Sequence, residues 1–260
     1  MQSEYVFGSE ADLAAEQLEI LSALWDPYTE RAFDGIGIEP GARCLDIGPG
    51  AGTSTRMLIE RAGPSGAVTA VDLDTAYLDA PGARVLVHDI NDGVPAGGPF
   101  DVIHARLVLM HLTRREEILG ALTRALAPGG WLLVADNGHL PRIIASPDPQ
   151  DVEVFDRFQE LALANAHRLG LSFEWAERID QHMADNGLVD VHGVHLTHSA
   201  TGGSLEARLS HNYVRQMQSS LLRAGIPAAD VEHYRRMWTD PRFRFWFYDF
   251  ACWAGQRPRL

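Results

Sequence analysis

Two kinds of apolar run take turns along this chain. Short blocks at about 42–47, 67–72, 83–88, from 100, and 131–136 are rich in Val, Ile, Leu and Ala with few interruptions, the pattern of strands covered on both faces. Between them the apolar residues recur at helical spacing. Residues 9–25 carry Leu13, Leu18, Leu21 and Leu24 among acids after a Ser9 cap, and residues 53–62 form a second such segment. Thr113 to Leu126 is a third, opened by Thr113-Arg114-Arg115-Glu116, which has the form of a capping box. Strand alternating with helix predicts an α/β fold built on a mostly parallel sheet.

Beyond residue 146 the alternation changes character. Helix-like segments from Asp151 to Leu169 and from Ser172 to Asn186 follow each other directly, then a strand-like run, Leu188 to Leu196. Phe155, Phe158, Leu161, Phe173 and Trp175 in these segments would serve either as the wall of an apolar pocket or as a packing face. Helical segments from Ser204 to Ala224 and Ala228 to Thr239 precede a dense aromatic run, Phe245 to Gly255, that reads as one strand buried on both faces.

The chemistry gathers at the end of the first block. Cys44-Leu45-Asp46-Ile47 runs into Gly48-Pro49-Gly50-Ala51-Gly52-Thr53, and a helical segment follows at once. Glycines in a strand-to-helix turn let a ligand approach the backbone, and the helix start offers unpaired N–H groups with a partial positive charge. A dinucleotide fingerprint would place its third glycine at position 53; threonine stands there, which points away from NAD.

Asp46-Ile47-Gly48-Pro49-Gly50-Ala51-Gly52 resembles the first motif of class I S-adenosylmethionine-dependent methyltransferases. The late run Leu126-Ala127-Pro128-Gly129-Gly130-Trp131-Leu132 is similar to a recurrent signature of the same family, and His104 to Leu112 looks like actinobacterial enzymes that act on small molecules. The resemblance implies a Rossmann-like seven-stranded mixed sheet with its last strand antiparallel, plus a helical cap. It implies one structural domain with a cap: an N-terminal lid helix over 1–35, a cofactor-binding core over 36–145, a helical cap insertion over 146–187, and C-terminal completion of the core sheet by 188–260.

The same resemblance assigns cofactor-binding roles for S-adenosylmethionine and its product S-adenosylhomocysteine. Gly48, Pro49, Gly50, Gly52 and Thr53 would line the amino-acid half, with Asp46 holding the ammonium directly or through water. Asp72, ending the second block, is placed to accept from both ribose hydroxyls, as a carboxylate at that spacing does, and Leu73 beside it offers an apolar edge to adenine. Asp89 would accept from the adenine amino group while Ile90 packs on the ring. Tyr5 is a lid candidate or simple packing, and Arg106 either contacts the methionine end or pairs with a local acid. His111 and His139 are the candidate general bases, since imidazole titrates near neutrality, with structural roles as the alternative for each.

A metal is not expected: Asp136-Asn137 resembles the Asp-Asn that metal-dependent catechol-type methyltransferases carry at this place, but Arg106 stands about where their second carboxylate would be, a fixed positive charge opposes a divalent cation, and hard cations want several oxygen ligands. The 260 residues carry a formal net charge of −13 with no basic cluster, which disfavours nucleic acid as a partner. Two cysteines are too few for a disulfide framework, and no segment reaches the apolar length of a membrane span. A cytoplasmic protein is expected from these features, and the resemblance implies a monomer or homodimer acting on a small-molecule acceptor of secondary metabolism at oxygen, nitrogen or activated carbon. The alternatives are a cyclase or rearrangement enzyme that binds the same cofactor without transferring its methyl group, and a non-catalytic cofactor-binding partner protein.

Overall fold

The computed structural model describes residues 11–259; the lid candidate Tyr5 lies outside them. In chain order the elements are α1 (Ala11–Ile36), β1 (Arg43–Ile47), α2 (Thr53–Ala62), β2 (Ala67–Asp72), β3 (Arg84–Val87), β4 (Phe100–Arg106), α3 (Arg115–Ala125), β5 (Leu126–Asn137), β6 (Arg142–Ala145), α4 (Gln150–Arg168), α5 (Ile179–Asp185), β7 (Val189–Leu196), β8 (Ser199–Thr201), α6 (Leu205–Arg223), α7 (Ala228–Met237), β9 (Arg244–Trp246) and β10 (Phe250–Gln256). Two compact units divide them.

The larger unit holds residues 25–138, 172–196 and 250–259. Its seven-stranded sheet has the order β3-β2-β1-β4-β5-β10-β7, with β1 to β5 parallel and β10 antiparallel to both neighbours. The expected fold class, including the antiparallel last strand beside β5, is what forms. Period-two alternation sorts the side chains: Cys44, Val68, Val102, Leu133 and Ala254 meet Phe33 and Ile36 of α1 and Leu58 and Ala62 of α2 in one core. The opposite face is covered by α3 and α5. Cys44 and Cys252 are free and buried, and burial pushes both thiols up to about 12, so they are inert packing residues.

The smaller unit comprises residues 11–24, His139–Leu171 and Thr197–Asp249. Here α4 and α6 both pack on α7, and a three-stranded antiparallel sheet of order β6-β9-β8 forms. Phe155 and Phe158 are buried against Tyr234, and Phe155 also against Trp238 and Phe243, so both are packing residues. The aromatic run from 245 to 255 therefore does not form one strand. It splits into β9 and β10, which belong to different sheets, and between them the buried carboxylate of Asp249 accepts from Thr197 (2.6 Å) and pairs with His139 (2.9 Å). The capping box is also absent: Arg114 is the residue before α3, and no side chain caps that helix.

Candidate functional site

The tips of β1 and β2 lie side by side, with Ile47 in register with Val71. Gly48 to Gly52 bridges from the β1 tip into α2 as a crook fastened at three points. Gly48 N–H donates to Val71 O (2.9 Å), Gly50 N–H reaches Asp72 Oδ2 (3.4 Å), and Gly52 N–H closes a turn on Pro49 O (2.9 Å). Two glycines are required by contact as well as by conformation. Gly48 has φ +64° and a Cβ there would land inside the Val108 side chain; Gly52 has φ +84° and a Cβ would stand 2.9 Å from the Asp79 carbonyl oxygen. No side chain caps α2, so its first-turn N–H groups, with their partial positive charge, are not taken by a cap.

Asp46 sits beneath the crook rather than in it. The carboxylate is fully buried; Oδ2 accepts from Ser54 Oγ (2.8 Å) and Thr55 Oγ1 (2.6 Å), and Oδ1 pairs with His104 Nδ1 (2.8 Å). With three partners inside the chain, it fixes the start of α2 from beneath. Thr53 is likewise engaged, its hydroxyl donating to Asp26 of α1 (3.0 Å), and Arg106 takes the second of its two expected roles, pairing with the same Asp26 at 2.9 Å.

Asp72 is half-buried at the β2 tip, and its Oδ1 also accepts from Asp74 N–H (3.2 Å). Burial raises its pKa from the ordinary carboxylate value, against the pull of backbone N–H groups from Asp74, Gly50 and Leu73. Leu73 is exposed, an apolar side chain standing in solvent beside the crook. Asp74 caps a local turn through Ala76 N–H (2.9 Å), and residues 73–83 are loop. Asp89 Oδ1 turns the chain by accepting from the Asn91 backbone (2.9 Å) and side chain (3.0 Å), and Ile90 is buried.

The turn after β4 is the other half of the site. Leu107 holds φ +57°, an uncommon conformation for a non-glycine residue of the kind that gathers at functional sites. A 3₁₀ turn, Leu109–His111, follows. The imidazole of His111 is driven down to about 4, first by burial and then by the Arg115 cation, so it is neutral at physiological pH and a weak base. Behind the turn lies a residue whose role the sequence did not disclose. Asp136, at the β5 tip and fully buried, accepts from Trp175 Nε1 (2.9 Å) and Met110 N–H (3.3 Å) through one oxygen, Oδ2. Its other oxygen has no hydrogen-bond partner, and burial pushes the carboxyl up to about 8.

His139 falls in the smaller unit, where Asp249 orients its Nδ1. That unit also has a cavity of about 420 Å³ lined in part by Asp148, Asp151 and His233, whose ligand-type atoms all lie within 4.8 Å of one another. These groups are satisfied by the chain itself: Asp151 accepts from Ser146 and His233, and Asp148 from Gln150 N–H.

A glycine crook at the carboxyl edge of the sheet, an acid at the neighbouring tip and a seven-stranded sheet with one reversed strand describe a known architecture. A family model for the methyltransferase domain matches residues 17–193. The chain belongs to the methyltransferase domain family. Among curated members, the ubiquinone/menaquinone biosynthesis C-methyltransferase UbiE of Ectopseudomonas mendocina is 31% identical over 127 residues, 45% of this chain and 48% of that protein. The chain thus spans about half the length of the curated relatives it matches. Two solved structures share the fold. Phosphoethanolamine N-methyltransferase 2 of Haemonchus contortus, determined with S-adenosylhomocysteine, has a TM-score of 0.52 at 20% identity, covering 90% of this chain and 53% of that one. The YcgJ protein of Bacillus subtilis has a TM-score of 0.56 at 14% identity, covering 90% and 100%. Among the described residues no helix of this methyltransferase-family chain is long and apolar enough to cross a membrane.

Proposed function

We propose that this chain holds S-adenosylmethionine against the Gly48–Gly52 crook and transfers its methyl group to a small organic acceptor of the natural-product kind. The observation that carries the reading is the crook itself, a backbone concavity beside a half-buried carboxylate. When bound, the cofactor supplies an electrophilic methyl group on a sulfonium. The uncapped N–H groups of α2 suit its carboxylate. Asp72 suits paired hydroxyls, and the exposed Leu73 suits a flat apolar ring. Asp89 and Ile90 close the far side, with Asp89 already half-committed to Asn91.

Little acid–base machinery is needed, because sulfonium is a good leaving group and the protein's task is alignment and exclusion of water. His111, neutral and weakly basic, fits an acceptor that arrives already nucleophilic. The C-methyltransferase relatives support carbon as the atom methylated. The test is incubation with donor labelled in its methyl group and a panel of phenols, amines and quinol-like carbon acids. Label appearing on an acceptor supports the reading. Label that stays on the donor while an acceptor rearranges favours the cyclase alternative, and a chain that binds neither donor nor S-adenosylhomocysteine refutes both.

A further inference from the structure

Thr53 opens α2 directly after Gly52, and Arg106 closes β4 one step beyond the Ile47–Ala105 pair, so both flank the crook. Their side chains converge on a single oxygen of α1. Asp26 Oδ1 accepts from Thr53 Oγ1 at 3.0 Å and from the Arg106 guanidinium at 2.9 Å, and the same guanidinium nitrogen donates to Thr29 Oγ1 at 2.8 Å. The Arg106 side chain is only 9% exposed, and that of Asp26 21%. A cation so shielded from solvent projects its field into its surroundings with little screening.

We propose that Asp26 is a positioning residue for the methyl donor, pinning both flanks of the crook and cancelling the Arg106 charge so that a cationic ligand can rest there. The inference rests on the reading of the crook as the S-adenosylmethionine site. Its consequence is specific to charge. The donor carries a sulfonium that its product lacks, so an uncompensated Arg106 opposes the donor more than the product. A purely mechanical brace would affect the two alike.

The experiment is calorimetric titration of the wild-type chain, Asp26→Asn and Thr53→Val with S-adenosylmethionine and with S-adenosylhomocysteine, at low salt. Thr53→Val keeps the charge pair and should weaken both ligands by the same factor, on the order of threefold, the scale of one neutral hydrogen bond. Asp26→Asn should weaken the product about tenfold and the donor a further fivefold or so, an excess that shrinks as salt is added. The double variant Asp26→Asn/Arg106→Gln, neutral at both positions, should abolish that excess, and it can be read even if the single variant fails to fold. Equal loss for the two ligands in Asp26→Asn, no loss, or an excess that persists in the double variant overturns the role of Asp26. A wild-type chain that binds neither ligand overturns the reading of the crook and this inference with it.

Discussion

The carboxyl of Asp136 should make the protein less stable as pH rises, and the size of the effect can be worked from its surroundings. Its folded-state value is about 8, set by burial against weaker opposing pulls from Trp175 Nε1, backbone N–H groups and the Arg115 cation, against a reference of 3.8. Glu116 and Glu174 stand around Arg115 and temper that cation, while His111 nearby is neutral. Between pH 3.8 and 8 the folded chain keeps a proton that the unfolded chain has released. Stability from this group is therefore lost with rising pH, at up to about 1.4 kcal/mol per unit, and levels off above the folded value.

Asp136→Asn removes that slope. The amide still presents an oxygen to Trp175 and Met110, but its NH₂ takes the place of the partnerless Oδ1, at a cost of about 1 to 3 kcal/mol. Setting this constant cost against the pH-dependent one puts the crossover at roughly pH 4.5 to 6. The variant should be the less stable protein below it, and the more stable by about 2 to 4 kcal/mol at pH 8. Urea unfolding of both proteins at pH 4.5, 6 and 8 tests this, since other titrating groups cancel in the difference. A difference that stays constant across that range would falsify the claim that Asp136 holds its proton when folded.

Three further outcomes follow from the crook and its neighbours. Asp72→Ala should weaken S-adenosylhomocysteine by about 1 to 3 kcal/mol through loss of charge-assisted bonds, and wild-type affinity should fall on acidification from a pH above the ordinary carboxylate range, because burial raises the Asp72 value; calorimetry showing unchanged affinity in the variant means the carboxylate does not face the ligand. The pH–rate profile should show no limb between pH 5.5 and 8 that disappears in His111→Ala, since that imidazole is charged only below about 4; such a limb would restore His111 as the general base. Gly48→Ala should abolish ligand binding by driving a methyl group into Val108, and Val108→Ala should restore part of it; a double variant no better than the single one would place the cost in the positive φ alone.

The inner strands were legible because strands covered on both faces are apolar throughout; β3, expected to be one of them, is an edge strand with Val85 and Val87 exposed, and its apolar run marked it as a strand but not its place in the sheet. Asp72 could be found from strand position alone. What stayed hidden depends on partners remote in sequence. The inward commitment of Asp46 is invisible until Ser54, Thr55 and His104 are known to surround it. Asp26 lies just past the 9–25 stretch whose helical spacing was legible, and its partners lie 27 and 80 residues away, so nothing local set it apart. The break between β9 and β10 was masked because aromatic residues dominate both strands, and hydrophobicity alone does not mark where the chain changes sheets.

The two faces of the sheet divide the work of building the site. Asp46, His104 and Arg106 project toward α1 and α2, and through Asp26, Ser54 and Thr55 they fix the crook. Asp136 projects the other way and, through Met110 and Trp175, fixes the turn after β4. Successive residues of a strand point to opposite faces, so neither set touches the other directly. They are coupled where Val108 fills the space a side chain on Gly48 would need, with Leu107 held in its unusual conformation just before it. A disturbance on the Asp136 face therefore has a van der Waals route to the crook through Val108, whereas the other face acts on it directly through Asp26, Thr53, Ser54 and Thr55. On the proposed reading of the crook as the methyl donor's site, the contact between Gly48 and Val108 bears on how accurately the methyl group is presented.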